Sequence, residues 1–114
     1  CPMIDARRME VYTALYDVNN NPIEPVSAKI IEGDSFKAYL KENNILFFGD
    51  GADKCRELLE DNSNALFSHQ GLPSAEFINQ IAFNKFNHQE FEDVAYFEPY
   101  YLKDFIGTTA KKLL

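Results

Sequence analysis

Two short runs at the start of the chain constrain its fold more than any other feature. Met3 to Ala6 is a short, largely apolar run that closes in Asp5-Ala6-Arg7-Arg8. Glu10 to Val18 follows almost at once, with Val11, Thr13 and Leu15 alternating against Tyr12, Ala14 and Tyr16. Two strand-length runs separated by a few polar residues predict an antiparallel hairpin. Both sides of the second run are fairly apolar, as in a strand covered on both faces. Asn19-Asn20-Asn21-Pro22 predicts a turn, because Asn tolerates left-handed backbone and Pro fixes φ. Ile23 to Ile31 continues the meander, and Pro25, which has no N–H to give, predicts an edge strand. The hairpin starts with no lead-in and no initiator Met. That predicts a domain cut from a longer protein.

The hydrophobic period then changes. Asp34 or Ser35 can cap a helix running through Asn43, with Phe36, Tyr39 and Leu40 on one stripe. Ile45-Leu46-Phe47-Phe48 is a continuous apolar run of strand length, as in a buried parallel strand, and Gly49-Asp50-Gly51 ends it. Ala52 to Glu60 predicts a second helix with Cys55, Leu58 and Leu59 inward, and Ala65 to Phe67 a short strand. Pro73 suits the first turn of a third helix to about Asn87, with an apolar stripe of Phe77, Ile78, Ile81, Ala82 and Phe86. Phe91 to Phe105 is aromatic and contains Pro99, which predicts an extended segment lying on a surface. Residues 106–114 are expected to be a flexible tail.

The resulting order is β-β-β-α-β-α-β-α. Three meandering strands followed by alternating helices and strands are the signature of a ribonuclease H-like α/β domain, with a mixed five-stranded sheet and helices on both faces. The 114 residues suit one such domain, over residues 1–105. A chain this long buries a core without staples, and its ten Phe and six Tyr are expected to supply much of it.

The formal net charge of −7 argues against direct nucleic-acid binding, since Lys and Arg do not cluster beyond Arg7-Arg8 and Lys111-Lys112. Cys1 and Cys55 do not make a disulfide framework, so both are expected to be reduced thiols of a cytoplasmic protein. No apolar stretch approaches the roughly 20 residues of a membrane span.

Several residues invite chemistry. Asp5 ends the first strand and Asp50 follows the fourth. Were those strands neighbours, the two carboxylates would approach each other and could bind Mg²⁺ for phosphodiester hydrolysis, with Glu10 a remote third ligand. The plainer alternative is a strand terminator and a helix cap, and the lack of a basic path for substrate favours it. Gly49-Asp50-Gly51 before a helix could cradle an anion, but Asp50 and Asp53 repel phosphate, and paired glycines more often permit tight strand–helix packing. Arg7-Arg8 at the hairpin tip suits an acidic partner or RNA, or is simply a solvated turn. His69 and His88 stand apart, with no Cys or His at ligand spacing, which argues against a structural zinc site, and no P-loop or nucleophile elbow is present. The aromatic run from Tyr96 to Phe105 needs a surface to cover, either this domain's own or one outside the chain.

Three segments carry a family resemblance. Met3-Ile4-Asp5-Ala6-Arg7-Arg8-Met9-Glu10-Val11-Tyr12 resembles the Asp-Ala-Arg-x-x-x-Val-Tyr segment that opens the second domain of the TsaB (YeaZ) family. Phe48-Gly49-Asp50-Gly51-Ala52 is similar to that family's loop after the fourth strand. Glu98-Pro99-Tyr100-Tyr101-Leu102-Lys103 resembles its closing Pro-x-Tyr-Leu-Arg, with Lys103 in place of Arg. The matches occur in order and span nearly the whole chain. They imply the C-terminal domain of a bacterial, two-domain protein of the actin-like ATPase superfamily, long labelled glycoprotease-like.

The implied role is that of a non-catalytic scaffold in tRNA threonylcarbamoyladenosine modification. Its partners would be the catalytic paralogue TsaD and the ATPase TsaE, with tRNA touched only indirectly. The pairing surface and the catalytic metal ligands would lie outside this chain. No cofactor is expected in this domain, and ATP or ADP only at the level of the complex. Gly49, Asp50 and Gly51 would at most be a vestigial anion loop, and Arg7, Arg8, Tyr100, Tyr101 and Phe105 are the expected partner or interdomain contacts. Apolar surface left open by truncation could drive self-association. The alternatives are a metal-dependent nuclease using Asp5 and Asp50, or a glycoprotease-like nucleotide-binding domain.

Overall fold

The structure, a computed structural model, describes residues 1–69, 71 and 73–104. The opening hairpin pairs β1 (Met3–Asp5) antiparallel to β2 (Glu10–Tyr16), with Met3 opposite Thr13 and Asp5 opposite Val11. Its turn places Arg7 at φ 71 and Arg8 at φ 51, a left-handed pair at a tip where Asn and Gly are the usual occupants. Asp5 helps to hold that geometry, because its Oδ1 accepts the Arg7 N–H at 2.7 Å, the local bond of an Asx turn.

Among the described residues β3 (Pro22–Ile30) pairs only with β2, in keeping with the edge position predicted from Pro25. The register slips between Thr13–Ser27 and Leu15–Glu24, and Pro25 falls in that bulge, where no ladder donor is required.

α1 (Lys37–Leu40) is a single turn, shorter than the helix expected through Asn43. The expected caps act differently. The Ser35 hydroxyl accepts the Glu32 N–H, and the Asp34 carbonyl accepts the Lys37 N–H, so residues 32–37 are spent on turns. Phe36 ends that run at φ 61, which points its ring into the core and leaves the helix one turn.

β4 (Ile45–Phe47), α2 (Ala52–Leu59) and β5 (Ala65–Phe67) form a β-α-β unit with parallel strands, Ile45 opposite Ala65 and Phe47 opposite Phe67. The strands thus make a small mixed α/β domain of two sheets, β1-β2-β3 antiparallel and β4-β5 parallel. One continuous five-stranded sheet is not shown. The sheets meet at a single parallel bridge, Pro2 to Phe48, with the Met3 N–H donating to the Phe48 carbonyl at 2.8 Å. The ladder stops there because Gly49, at φ 99, turns the chain out of the strand direction.

Alternation sends Met3, Val11, Leu15, Ile45 and Phe47 to one side, where they meet Ile31, Phe36, Leu40 and the α2 residues Ala52, Cys55 and Leu59. Phe47 is the centre, its ring 5.3 Å from both Phe36 and Phe67. Leu58, expected inward, is partly exposed. The aromatic core anticipated from composition is also corrected. Among the described Phe and Tyr only Phe36 and Phe47 are buried, because most of the others fall after β5.

α3 (Ala75–Asn87) is capped by Ser74, whose Oγ accepts the Glu76 N–H, so Pro73 lies just outside the helix and not in its first turn. None of its side chains is buried. No helix among the described residues is long and apolar enough to cross a membrane.

Candidate functional site

The residues singled out in sequence gather at one end of β1. The loop after β4 returns against this strand, where the Gly51 N–H donates to the Met3 carbonyl at 3.0 Å. A Cβ on Gly49 would collide with the Met3 carbonyl, and one on Gly51 would lie 3.0 Å from both the Ile4 backbone and the Val11 side chain. The two glycines therefore permit close backbone approach. The Ala52 N–H is also engaged, by the Gly49 carbonyl at 3.1 Å. Two of the amide donors that an anion would need are thus already used within the protein.

Asp50 meets Asp5 at its backbone. Asp50 Oδ1 accepts the Asp5 backbone N–H at 3.0 Å. The Asp5 carboxylate accepts from Lys54 Nζ at 2.5 Å and from the Arg7 N–H. The Lys54 hydrogen bond is the main reason its carboxyl titrates below the usual aspartate range, with the Arg7 N–H adding to it. Lys54 also donates to the Glu10 carbonyl at 2.7 Å, tying α2 to the start of β2.

Glu10 is not a third ligand to this pair. Its carboxylate receives both bonds of Lys103 Nζ, at 2.7 and 2.9 Å. Lys103 is held above its ordinary value chiefly by that hydrogen bond. A series of charged contacts results, Asp50 to the β1 backbone, Asp5 to Lys54, and Glu10 to Lys103. Among the described residues no group of three His, Cys, Asp or Glu side chains is placed to hold a metal ion. Chemically the arrangement fastens segments together, since each carboxylate already has an N–H or ammonium partner.

Sequence reasoning missed Lys54 and the role of Glu10. Lys54 lies four residues after Asp50 on the first turn of α2, a position that in hindsight faces the β1 end.

The aromatic tail crosses the outer side of the first sheet. Tyr100, Tyr101, Leu102 and Lys103 line a groove of about 340 Å³ with Ile4, Tyr12 and Val26. Tyr100 and Tyr101 remain largely exposed within it. Arg7 and Arg8 project from the hairpin tip into solvent. Phe105, the remaining expected contact, lies outside the described residues.

Comparison with family models, with curated proteins and with solved structures yields no match to this chain.

Proposed function

We propose that this chain is the second, ribonuclease H-like domain of a TsaB-type scaffold in tRNA threonylcarbamoyladenosine modification. One observation carries the reading. The three segments that resemble the family are far apart in sequence, yet they meet at one place. Asp50 of the second segment bonds the backbone of Asp5 in the first, and Lys103 of the third pairs with Glu10 of the first. Motif residues that bind one another are what a structural domain requires. The Asp-Ala-Arg segment then serves as a fastening, with Asp5 engaged by Lys54.

The finer fold assignment rests on the Pro2–Phe48 bridge. It makes β4 the outer neighbour of β1, so the spatial order would run β3-β2-β1-β4-β5. In this reading the protein works in the bacterial cytoplasm with a TsaD-type paralogue and a TsaE-type ATPase. The complex binds ATP or ADP, and tRNA contact is indirect.

The test is reconstitution. The complete protein, and separately this chain, are mixed with TsaD and TsaE of the same organism, and threonylcarbamoyl transfer to tRNA is assayed. Transfer that requires the complete protein supports the scaffold. Full transfer with neither would remove it, and Mg²⁺-dependent cleavage of RNA by this chain would favour the nuclease alternative.

A further inference from the structure

Burial is divided sharply along the chain. Among the described residues, the buried side chains lie between Met3 and Leu59. From Pro73 to Asp104 every residue is exposed except Leu102, which is half-buried. Leu102 lines the groove on the outer face of the first sheet, with Ile4, Tyr12 and Val26. Beside it, Lys103 Nζ gives two bonds to the Glu10 carboxylate, at 2.7 and 2.9 Å. An aliphatic contact and an ion pair on consecutive residues thus fasten a long arm back onto the hairpin. The arm leaves the core at Gly71, whose φ of 126 suits glycine and few other residues.

The two halves of this fastening differ in rigidity. Glu10 is fixed from behind. Its carbonyl accepts the Ala6 N–H at 3.1 Å and Lys54 Nζ at 2.7 Å, and its N–H donates to the Arg7 carbonyl at 3.1 Å. The arm has no such backing. α3 buries no side chain, and Tyr100 and Tyr101, just ahead of Leu102, are each 79% exposed. The ion pair is itself in contact with water, with 41% of the Lys103 side chain and 23% of the Glu10 side chain exposed. Such a pair is weak in water and is screened by salt. Ile4 and Val26 stay about half exposed in the groove, so Leu102 covers them only in part. Segments with little buried apolar surface open at far lower free energy than a packed core.

We propose that Leu102 and Lys103 form a reversible latch, which releases residues 73–104 from the outer face of the first sheet while residues 1–69 remain folded. The proposal does not rest on the scaffold reading. Glu10 is the fixed receptor of the latch and Lys103 its moving part. Opening bares Ile4, Tyr12 and Val26 and frees the Glu10 carboxylate. The Lys54 bond to the Glu10 carbonyl, the Asp5–Lys54 pair and the core around Phe47 do not depend on the arm, and they persist when it is open.

Methyl NMR of the whole chain tests this. In the parent, the Leu102 methyl groups should show nuclear Overhauser contacts to the Tyr12 ring. Lys103→Glu places like charges together, and should weaken those contacts about fivefold or more. The exchanged pair, Glu10→Lys with Lys103→Glu, should restore them to within about twofold of the parent, because it remakes the attraction with the charges reversed. The methyl signals of Met3, Leu15 and Leu59 report the core, and should keep their positions in all three proteins. No Leu102–Tyr12 contact in the parent would overturn the proposal. Contacts that survive Lys103→Glu would also overturn it, since the arm would then be held elsewhere. A failure of the exchanged pair to restore them, with the core signals in place, would remove Glu10 as the receptor. Core signals that shift or broaden together with the loss of the Leu102 contacts would mean that arm and core open as one unit, which the latch forbids.

Discussion

Among the described residues Thr13 is the one buried polar side chain, and its hydroxyl donates to the Pro2 carbonyl at 2.7 Å. That bond fixes the chain just ahead of β1, where Pro2 forms the bridge between the two sheets. Thr13→Val keeps the volume but leaves the carbonyl without its donor, and should cost about 1–2 kcal/mol in urea unfolding. Gly51→Ala at the same end adds a Cβ 3.0 Å from Ile4 and Val11 and 3.1 Å from the Asp5 nitrogen. Neither strand can withdraw without breaking its ladder, so a loss of about 1–3 kcal/mol is expected by the same measurement. Asp5 has a pH signature. Its carboxyl is depressed in the folded state, first by Lys54. Its contribution to stability is therefore complete above the unfolded value of about 3.9 and disappears as pH falls through the lower folded value. Lys54→Met should move the Asp5 carboxyl upward in an NMR titration. The stability gap between variant and parent should be widest near neutrality and close in acid. An unmoved Asp5 resonance would contradict the assigned partner.

The elements that build the core were largely legible in the sequence. The hairpin, the edge strand with Pro25, β4, α2 and β5 lie where periodicity put them, because each has one face that must be buried and a clear stop signal in Asn, Gly or Pro. Phe47 sits at the junction of these elements with no exposure, so Phe47→Ala should cost about 3–5 kcal/mol and give a lower midpoint with an unchanged slope in denaturant. Three features were not legible. The helix after β3 shrank to one turn because Ser35 and the Asp34 carbonyl took local bonds, a competition that hydrophobic spacing does not reveal. The join between the sheets depends on a single bridge at Pro2 and on φ at Gly49. The charge chain through Lys54 and Lys103 spans separations of 44 to 93 residues, beyond the reach of any local pattern. Asp5 and Asp50 could be singled out from sequence, their approach depending on whether β1 and β4 are neighbours. That Lys54 would take the Asp5 carboxylate required the fold.

Across the whole molecule, polarity is divided unevenly. The first two thirds of the chain bury a core around Phe47, while the described aromatics after β5 stay on the surface. The charged side chains at the end of β1 answer one another, and among the described residues no group of three is placed to hold a metal ion. The central proposal is that this domain supports an assembly whose catalysis lies in a partner. Its most direct test is threonylcarbamoyl transfer by the complete protein with TsaD and TsaE, carrying Asp5→Asn and Asp50→Asn together. The account predicts transfer within about threefold of the parent once thermal unfolding shows the variant is folded. A loss of about 100-fold or more in a fully folded variant, equivalent to some 2.7 kcal/mol of transition-state stabilisation, would contradict it and return these carboxylates to catalysis.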